Sequence, residues 1–305
     1  MICVSLLFAV ITKYYKQVKR MKIGFIGAGK VGTALGIFFK HHRLTLSGYL
    51  SRSEISSQCA AKVTDSAVFY DLPSFAAASE VIFITTGDDQ ISAVINQLLQ
   101  TACLTKHHTL IHTSGALSTD LFDPLLTSGC GLCSLHPIMS FSDPLTASKN
   151  LKQTVFTLEG NQQGRIAAQK ILAITDNPYS VIDKNDKVLY HAAACILSNY
   201  LVTLIDSGFE LLKTTGIAED EIIRAFMPLI TATLGNIEKS ATVNALTGPL
   251  VRGDENTIGK HIKALKTQAP EFLPLYQTLG LTTIEMIKDK RIATEKYLQL
   301  QKILS

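Results

Sequence analysis

Charge is scarce in this chain. Asp, Glu, Lys and Arg make up 18% of its 305 residues against 47% apolar, and Trp is absent. So little charge beside so much apolar surface excludes a disordered chain and fits one large or two ordinary well-buried domains. The net charge of +4 is small and scattered, with no basic block interleaved with aromatics. That argues against nucleic acid as a partner. The missing Trp excludes nothing about function. No internal repeat or low-complexity linker appears. The cysteines, Cys3, Cys59, Cys103, Cys130, Cys133 and Cys195, are irregularly spaced, which suggests reduced thiols and a cytoplasmic protein rather than a disulfide framework. Cys130 and Cys133 have the redox spacing but lead into an apolar run, not onto a helix N-terminus that would stabilise a thiolate. Two small core residues is the plainer reading, and no metal site is expected.

Residues 1–20 stand outside the fold argument. The apolar stretch 2–11 is too short to span a bilayer as a helix. Its positive charges, Lys13, Lys16, Lys19 and Arg20, follow it, whereas a secretory signal carries them in front. Translation from Met21 is the expected reading, and a peripheral membrane anchor is the alternative.

What the chain does have begins at residue 22. The apolar strand Lys22-Ile23-Gly24-Phe25-Ile26 runs into Gly27-Ala28-Gly29-Lys30-Val31-Gly32 and then a helical run. The first glycine permits the tight turn, the second lets backbone approach a pyrophosphate, and the third lets helix and strand pack closely. The helix N-terminus supplies free N–H groups and partial positive charge. This is a dinucleotide-binding pattern; a glycine-rich turn that binds nothing is the alternative. A further absence then selects the cofactor. The tip of the second strand, Gly48-Tyr49-Leu50-Ser51-Arg52-Ser53, carries no Asp or Glu to hold a ribose diol. Arg52 lies roughly 20 residues past Gly32, where a 2′-phosphate would be met. Ser51, Ser53 and the forked guanidinium can donate to that phosphate, which reads as NADP(H) rather than NAD(H). A solvated Arg in a surface turn is the alternative.

Beyond it the pattern alternates between strands and helices. Strands are expected at 44–50, 67–70, 81–85, 109–112, 131–135, 155–158 and 179–182, with helices between, including 163–174. This rhythm predicts an α/β fold, a doubly wound Rossmann-type sheet. It stops at residue 183. Long helices are expected at 187–214 and at 219–240, the second bent by Pro228, then at 256–266, 271–279 and 282–302. The expected domains are therefore 21–183, binding NADP(H), and 184–305, all-helical.

Ligands of such sheets sit beyond the carboxyl ends of the strands. Those ends carry Thr86 and Gly87, His112 with Ser114 and Gly115, and His136 before Pro137. Gly87 and Gly115 allow close approach, and Ser114 can hydrogen-bond a substrate. Asp88 and Asp89 read equally well as helix caps. The helix from Lys187 is rich in Ala and large apolar residues, so most of it should be buried. Lys187, His191 and Ser198 fall within about 40° of one another on it, flanked by Asn199. A polar stripe on a buried helix faces a partner or a cavity, because unpaired buried polar groups cost roughly 1–3 kcal/mol each. A cofactor cleft and a helical dimer interface both satisfy that. Arg252 could clamp a carboxylate or pair with Asp254 or Glu255.

Taken together, the glycine turn, Ser51-Arg52-Ser53, His112-Thr113-Ser114-Gly115, Leu135-His136-Pro137, Tyr190-His191-Ala192-Ala193-Ala194 with Ser198-Asn199, and Thr247-Gly248-Pro249 with Arg252-Gly253-Asp254 resemble the Rossmann-like oxidoreductases whose helical C-terminal half is a domain of unknown function. That group is similar to pyrroline-5-carboxylate reductase, ketopantoate reductase and the β-hydroxyacid dehydrogenases. The resemblance implies a nicotinamide cofactor and a homodimer built through the helical half, and leaves the substrate open. One departure stands out. The dehydrogenases carry Lys-x-x-x-Asn at the start of the long helix; here it reads Lys187-x-x-x-His191. Either residue is then a candidate proton donor, and imidazole titrates near neutral pH without help. The expected activity is hydride transfer to a small keto or imino acid, with Ser114, Ser198 and Asn199 orienting its polar group, and His136 and Arg252 binding it. A non-catalytic NADP sensor and a deazaflavin-linked enzyme of the same fold are the alternatives.

Overall fold

A computed structural model describes residues 21–305; the expectations about residues 1–20 lie outside it. The chain divides into two compact units, the first ending at Ser198 and the second running from Asn199 to Ser305. The break thus falls beyond residue 183, and the start of the long helix belongs to the sheet unit.

The sheet unit holds every strand the apolar runs predict. They are β1 (Lys22–Ile26), β2 (Thr45–Leu50), β3 (Ala67–Phe69), β4 (Val81–Ile84), β5 (Thr109–His112), β6 (Gly131–Pro137), β7 (Phe156–Gly160) and β8 (Tyr179–Val181). They form one eight-stranded sheet in the order β3-β2-β1-β4-β5-β6-β7-β8. Around it lie α1 (Lys30–His41), α2 (Glu54–Thr64), α3 (Leu72–Ala78), α4 (Asp88–Thr101), α5 (Pro144–Asn150), α6 (Gln162–Thr175) and α7 (Lys187–Leu197). Alternation along each strand sorts the core into two layers. Ile23, Phe25, Val81 and Phe83 pack on one face, and Ile26, Ile82 and Ile84 on the other. Phe25 stacks on Tyr49 at 5.1 Å between ring centroids and meets Phe83 at 5.5 Å. Each such ring contributes about 1.5–3 kcal/mol by leaving water. The strand order reverses between β1 and β4, which opens a crevice at their carboxyl ends.

One pairing departs from a wholly parallel sheet: β7 runs antiparallel to β6, with Pro137 opposite Phe156 and His136 opposite Thr157. The connection leaves β6 and re-enters at the same end, closed by the Ile138 N–H donating to the Val155 carbonyl at 3.0 Å. An apolar run reads the same in either direction, so spacing alone does not reveal the reversal.

The long helix expected over 187–214 is two helices. α7 ends at Ser198, whose φ −121° and ψ −66° leave the helical range, and α8 (Asn199–Lys213) begins the second unit. Ser and Asn side chains compete for backbone hydrogen bonds and suit such a break. The expected burial of this segment is also overturned. Of α7 only Lys187 is buried and of α8 nothing, while Val188, Leu189, Ile196, Leu197, Tyr200 and Val202 are exposed. By length and composition alone, 184–213 is apolar enough to cross a membrane.

The helical unit continues with α9 (Glu219–Ala245), α10 (Pro249–Arg252), α11 (Glu255–Gln268), α12 (Leu273–Ile287) and α13 (Thr294–Leu304). The backbone stays helical through Pro228 and departs instead at Ala241. The helix expected over 282–302 is interrupted by a turn at 288–293, where the charged run Lys288-Asp289-Lys290-Arg291 has no apolar face to bury. Arg291 Nη1 instead donates to the Val243 and Leu246 carbonyls at 2.6 and 2.7 Å, closing the end of α9. Ile258, Ile262, Ile284, Leu300 and Leu304 form this unit's core.

Candidate functional site

The glycine turn is built as its spacing requires. The Gly27 N–H donates to the Leu50 carbonyl at 2.8 Å, and the Thr85 hydroxyl donates to the Gly27 carbonyl at 2.8 Å. Gly27 holds φ +108°, open to glycine without strain. A Cβ at Gly32 would lie 2.3 Å from the Gly27 carbonyl oxygen, so α1 packs as closely as the third glycine allows. A Cβ at Gly29 would meet nothing within 4 Å: its outer side is the open floor of a cavity. The first turn of α1 carries no acidic residue and no side-chain cap, so its N–H groups and dipole are free for an anion.

That cavity, of about 480 Å³, lies over the crevice and is lined by Gly27, Ala28, Gly29, Ser51, Arg52, Thr86 and Gly87, with Ser56, Tyr70, Asp71 and Gln97 among others. Arg52 is exposed there and forms no ion pair among the described residues. The Thr86 hydroxyl is buried with no hydrogen-bond partner, an orphan donor on the wall of an anion cradle. The one carboxylate on the wall, Asp71, accepts from the Ser74 N–H and hydroxyl, both at 2.8 Å, as the cap of α3. These bonds hold its carboxyl below the usual range. Bare backbone, an unpaired guanidinium and an orphan hydroxyl fit a phosphorylated dinucleotide.

Some expected contacts are not in the cradle. Ser53 caps α2 by accepting from the Ser56 N–H at 3.2 Å, and Ser56 takes its place on the cavity wall. Lys30 is exposed and Val31 packs toward the core; neither lines the cavity, and Gly32 lies behind the turn.

Next to the cradle is a cluster of bases. Asp88, at the start of α4, accepts from the Ser114 hydroxyl at 2.7 Å. Ser114 in turn accepts from the Ala116 and Leu117 N–H groups, so its hydroxyl ties the β4 and β5 loops together. The Ser114 carbonyl accepts from Lys187 Nζ at 3.2 Å. That ammonium also donates to the Ser134 hydroxyl, and the residue is 1% exposed. Burial lowers the Lys187 pKa, against the opposing charge of Glu159. The lysine is therefore held under the loop rather than presented to solvent.

Two imidazoles occupy the space above. A Cβ at Gly115 would come within 2.6 Å of His191 Nδ1 and 2.9 Å of His136 Nε2. Both nitrogens thus converge on the bare face of one glycine. The rings stand 6.1 Å apart at 81°. His191 Nδ1 is buried without a partner, while His136 Nδ1 bonds the Tyr190 hydroxyl at 2.9 Å. Burial, with the Lys187 and His191 charges adding, pushes His136 down to about 4. At neutral pH it is uncharged and able to donate or accept. His112, beneath them, is pushed down to about 3, chiefly by burial.

Not all the expected residues belong to the sheet unit or line its interior. Ser198 is exposed at the break after α7, and Asn199 is exposed at the start of the helical unit. Arg252 ends α10 in that unit, exposed. Glu255 pairs with Lys296 at 2.6 Å, and Asp254 caps α11, accepting from the Thr257 N–H at 3.0 Å. Cys130 and Cys133 are both buried, and burial raises both thiols, as small core residues and not thiolates. The sequence assigns no role to Tyr190, although it opens one of the motifs, and does not mark Ser134 or Glu159 at all. Tyr190 adjoins His191 in sequence; Ser134 and Glu159 face each other across β6 and β7, a pairing visible only once the strand reversal is known.

Two family models match the chain: a Rossmann-like domain over residues 12–137 and a domain of unknown function, DUF2520, over residues 154–283. No curated protein matches it. Solved structures do. A Thermotoga maritima protein is 28% identical with a TM-score of 0.70, over 88% of this chain and 100% of that one. A Bacteroides fragilis protein provisionally described as an NADP oxidoreductase is 21% identical with a TM-score of 0.68, over 88% and 99%. The pyrroline carboxylate reductase of Plasmodium falciparum, solved with NADP bound, is 14% identical with a TM-score of 0.58, over 94% and 99%. At such identities the last two speak for the fold.

Proposed function

We propose that this chain, a Rossmann-like domain followed by a DUF2520 domain, is an NADP(H)-dependent reductase acting on the C=O or C=N bond of a small keto or imino acid. The observation that carries this reading is the pair of imidazole nitrogens over Gly115, immediately beside an anion cradle that ends in an unpaired arginine. NADPH, when bound, would supply the hydride. The chain's residues do the rest. Gly27, Ala28 and Gly29 offer backbone to the pyrophosphate, and Arg52 with Ser51 meets the 2′-phosphate. His191 holds a proton at Nδ1 and delivers it to the oxygen or nitrogen that gains negative charge. Lys187 stays beneath, its positive field disfavouring a second proton on His136. A regulatory sensor would have no use for two bases converging on a bare glycine, and the enzyme reading is preferred for that reason.

The same reading makes the protein a cytoplasmic homodimer, with the exposed apolar side chains of α7 and α8 covered by a second copy.

The test is NADPH oxidation with a panel of keto and imino acids. Turnover is expected with at least one. His191→Ala should lower it by about 100-fold or more, the usual weight of a general acid, while NADPH affinity is unchanged. Equal turnover in the variant would remove His191 as the donor.

A further inference from the structure

The bond between Tyr190 and His136 has a chemical consequence. A histidine ring has two nitrogens, and the hydrogen bond made at one decides the role of the other. The Tyr190 phenol carries a proton to give, and burial raises its pKa further. That hydroxyl is hydrogen-bonded to His136 Nδ1, at 2.9 Å. A phenol is the better donor and a bare imidazole nitrogen the better acceptor, so the bond runs from the hydroxyl to Nδ1. Thr157 stands opposite His136 in the β6–β7 register. Its hydroxyl is buried with no hydrogen-bond partner among the described residues. The groups around the ring are the Lys187 ammonium, His191 and Tyr190 on α7 and His112 on β5. None is a carboxylate that would draw a proton onto Nδ1.

We infer that Tyr190 is a positioning residue: by donating to His136 Nδ1 it keeps the proton of that ring on Nε2, so that an N–H donor faces the bare side of Gly115 and receives an oxygen of a small keto acid. His136 and His191 then have unlike tasks. One presents a fixed donor at Nε2; the other has an unpaired Nδ1 to carry the moving proton. The identity of the recipient oxygen rests on the reductase reading, whereas the tautomer does not.

The experiment is a long-range proton–nitrogen correlation spectrum of the ¹⁵N-labelled full chain at pH 7, with His136→Gln to assign the His136 signals. Wild type is expected to show protonated Nε2 and bare Nδ1 at His136. In Tyr190→Phe, which removes only the hydroxyl, the two nitrogen resonances should move toward each other as tautomers mix. A Nδ1–H pattern in wild type overturns the inference without any variant, and so does an unchanged spectrum in a folded Tyr190→Phe. Pyruvate added to wild type should shift His136 Nε2 more than Nδ1. Failure of that shift removes the oxygen recipient, while failure of NADPH oxidation across the panel counts against the reductase reading separately.

Discussion

The two units of the chain handle polarity in opposite ways. In the sheet unit polar groups go inward and find partners: Lys187 beneath the Ser114 carbonyl, the Asp88–Ser114 tie, and Glu159 accepting from the Thr119 N–H at 2.9 Å. In the helical unit apolar groups stay outward. α9 buries only Ile222 and α8 nothing, while α11, α12 and α13 close a small core around Ile258 and Ile284. The sheet unit has chemistry built into its interior, and its α7 leaves Val188, Leu189, Ile196 and Leu197 exposed. α8 and α9 present a surface that calls for cover. Burying a charge is tolerated only with partners arranged around it, so the sheet unit's buried polar groups mark where the fold is specified most closely.

That contrast can be broken first at the cradle. Gly29 holds φ −80° and ψ −164°, a conformation any residue adopts, and its outer side is open. Gly29→Asp should fold normally, even adding an N-cap to α1, yet place a carboxylate where the pyrophosphate belongs. NADPH binding should weaken by about 100-fold or more with an unchanged melting temperature. Retained affinity would show that the cavity binds no dinucleotide phosphate.

The helical side is tested next. Val202 is 68% exposed on α8, and Val202→Asp should convert a dimer to single chains in sedimentation equilibrium while the cradle still binds NADPH. A monomeric wild type would leave the exposed face to some other cover.

A smaller effect follows from the buried imidazoles. His136 and His112 are pushed down to about 4 and about 3, whereas in the unfolded chain each titrates near pH 6.5. Between these values the unfolded chain holds more protons, so stability falls as pH drops from about 6.5 toward 4. Urea unfolding should lose about 4 kcal/mol between pH 7 and 5, about 2 from each ring. A flat profile would mean these rings are not held uncharged.

How much of this was legible in the sequence differs between the same two halves. Every strand announced itself as a short apolar run, and Gly27 to Gly32 with Arg52 announced the cradle, because both depend on local spacing. What eluded spacing is what depends on partners. The reversal of β7 places His136 opposite Thr157 and Ser134 opposite Glu159, and no local pattern records it. Helical periodicity groups Lys187, His191 and Ser198; the first two lie at Ser114 and Gly115, while the helix ends before Ser198. The positions of Ser53 and Ser114 at strand ends point to ligand contacts, yet both hydroxyls bond within the protein itself. The apolar residues of α7 and α8 signal burial without saying against what.

On the proposed reading, the exposed guanidinium of Arg52 recognises the phosphate that distinguishes NADPH from NADH. Calorimetric titration of wild type and Arg52→Asp with each cofactor tests it directly. Wild type should favour NADPH by about 10- to 100-fold, the weight of a charge-assisted contact, and the variant should favour NADH. The same preference in both proteins would contradict the account.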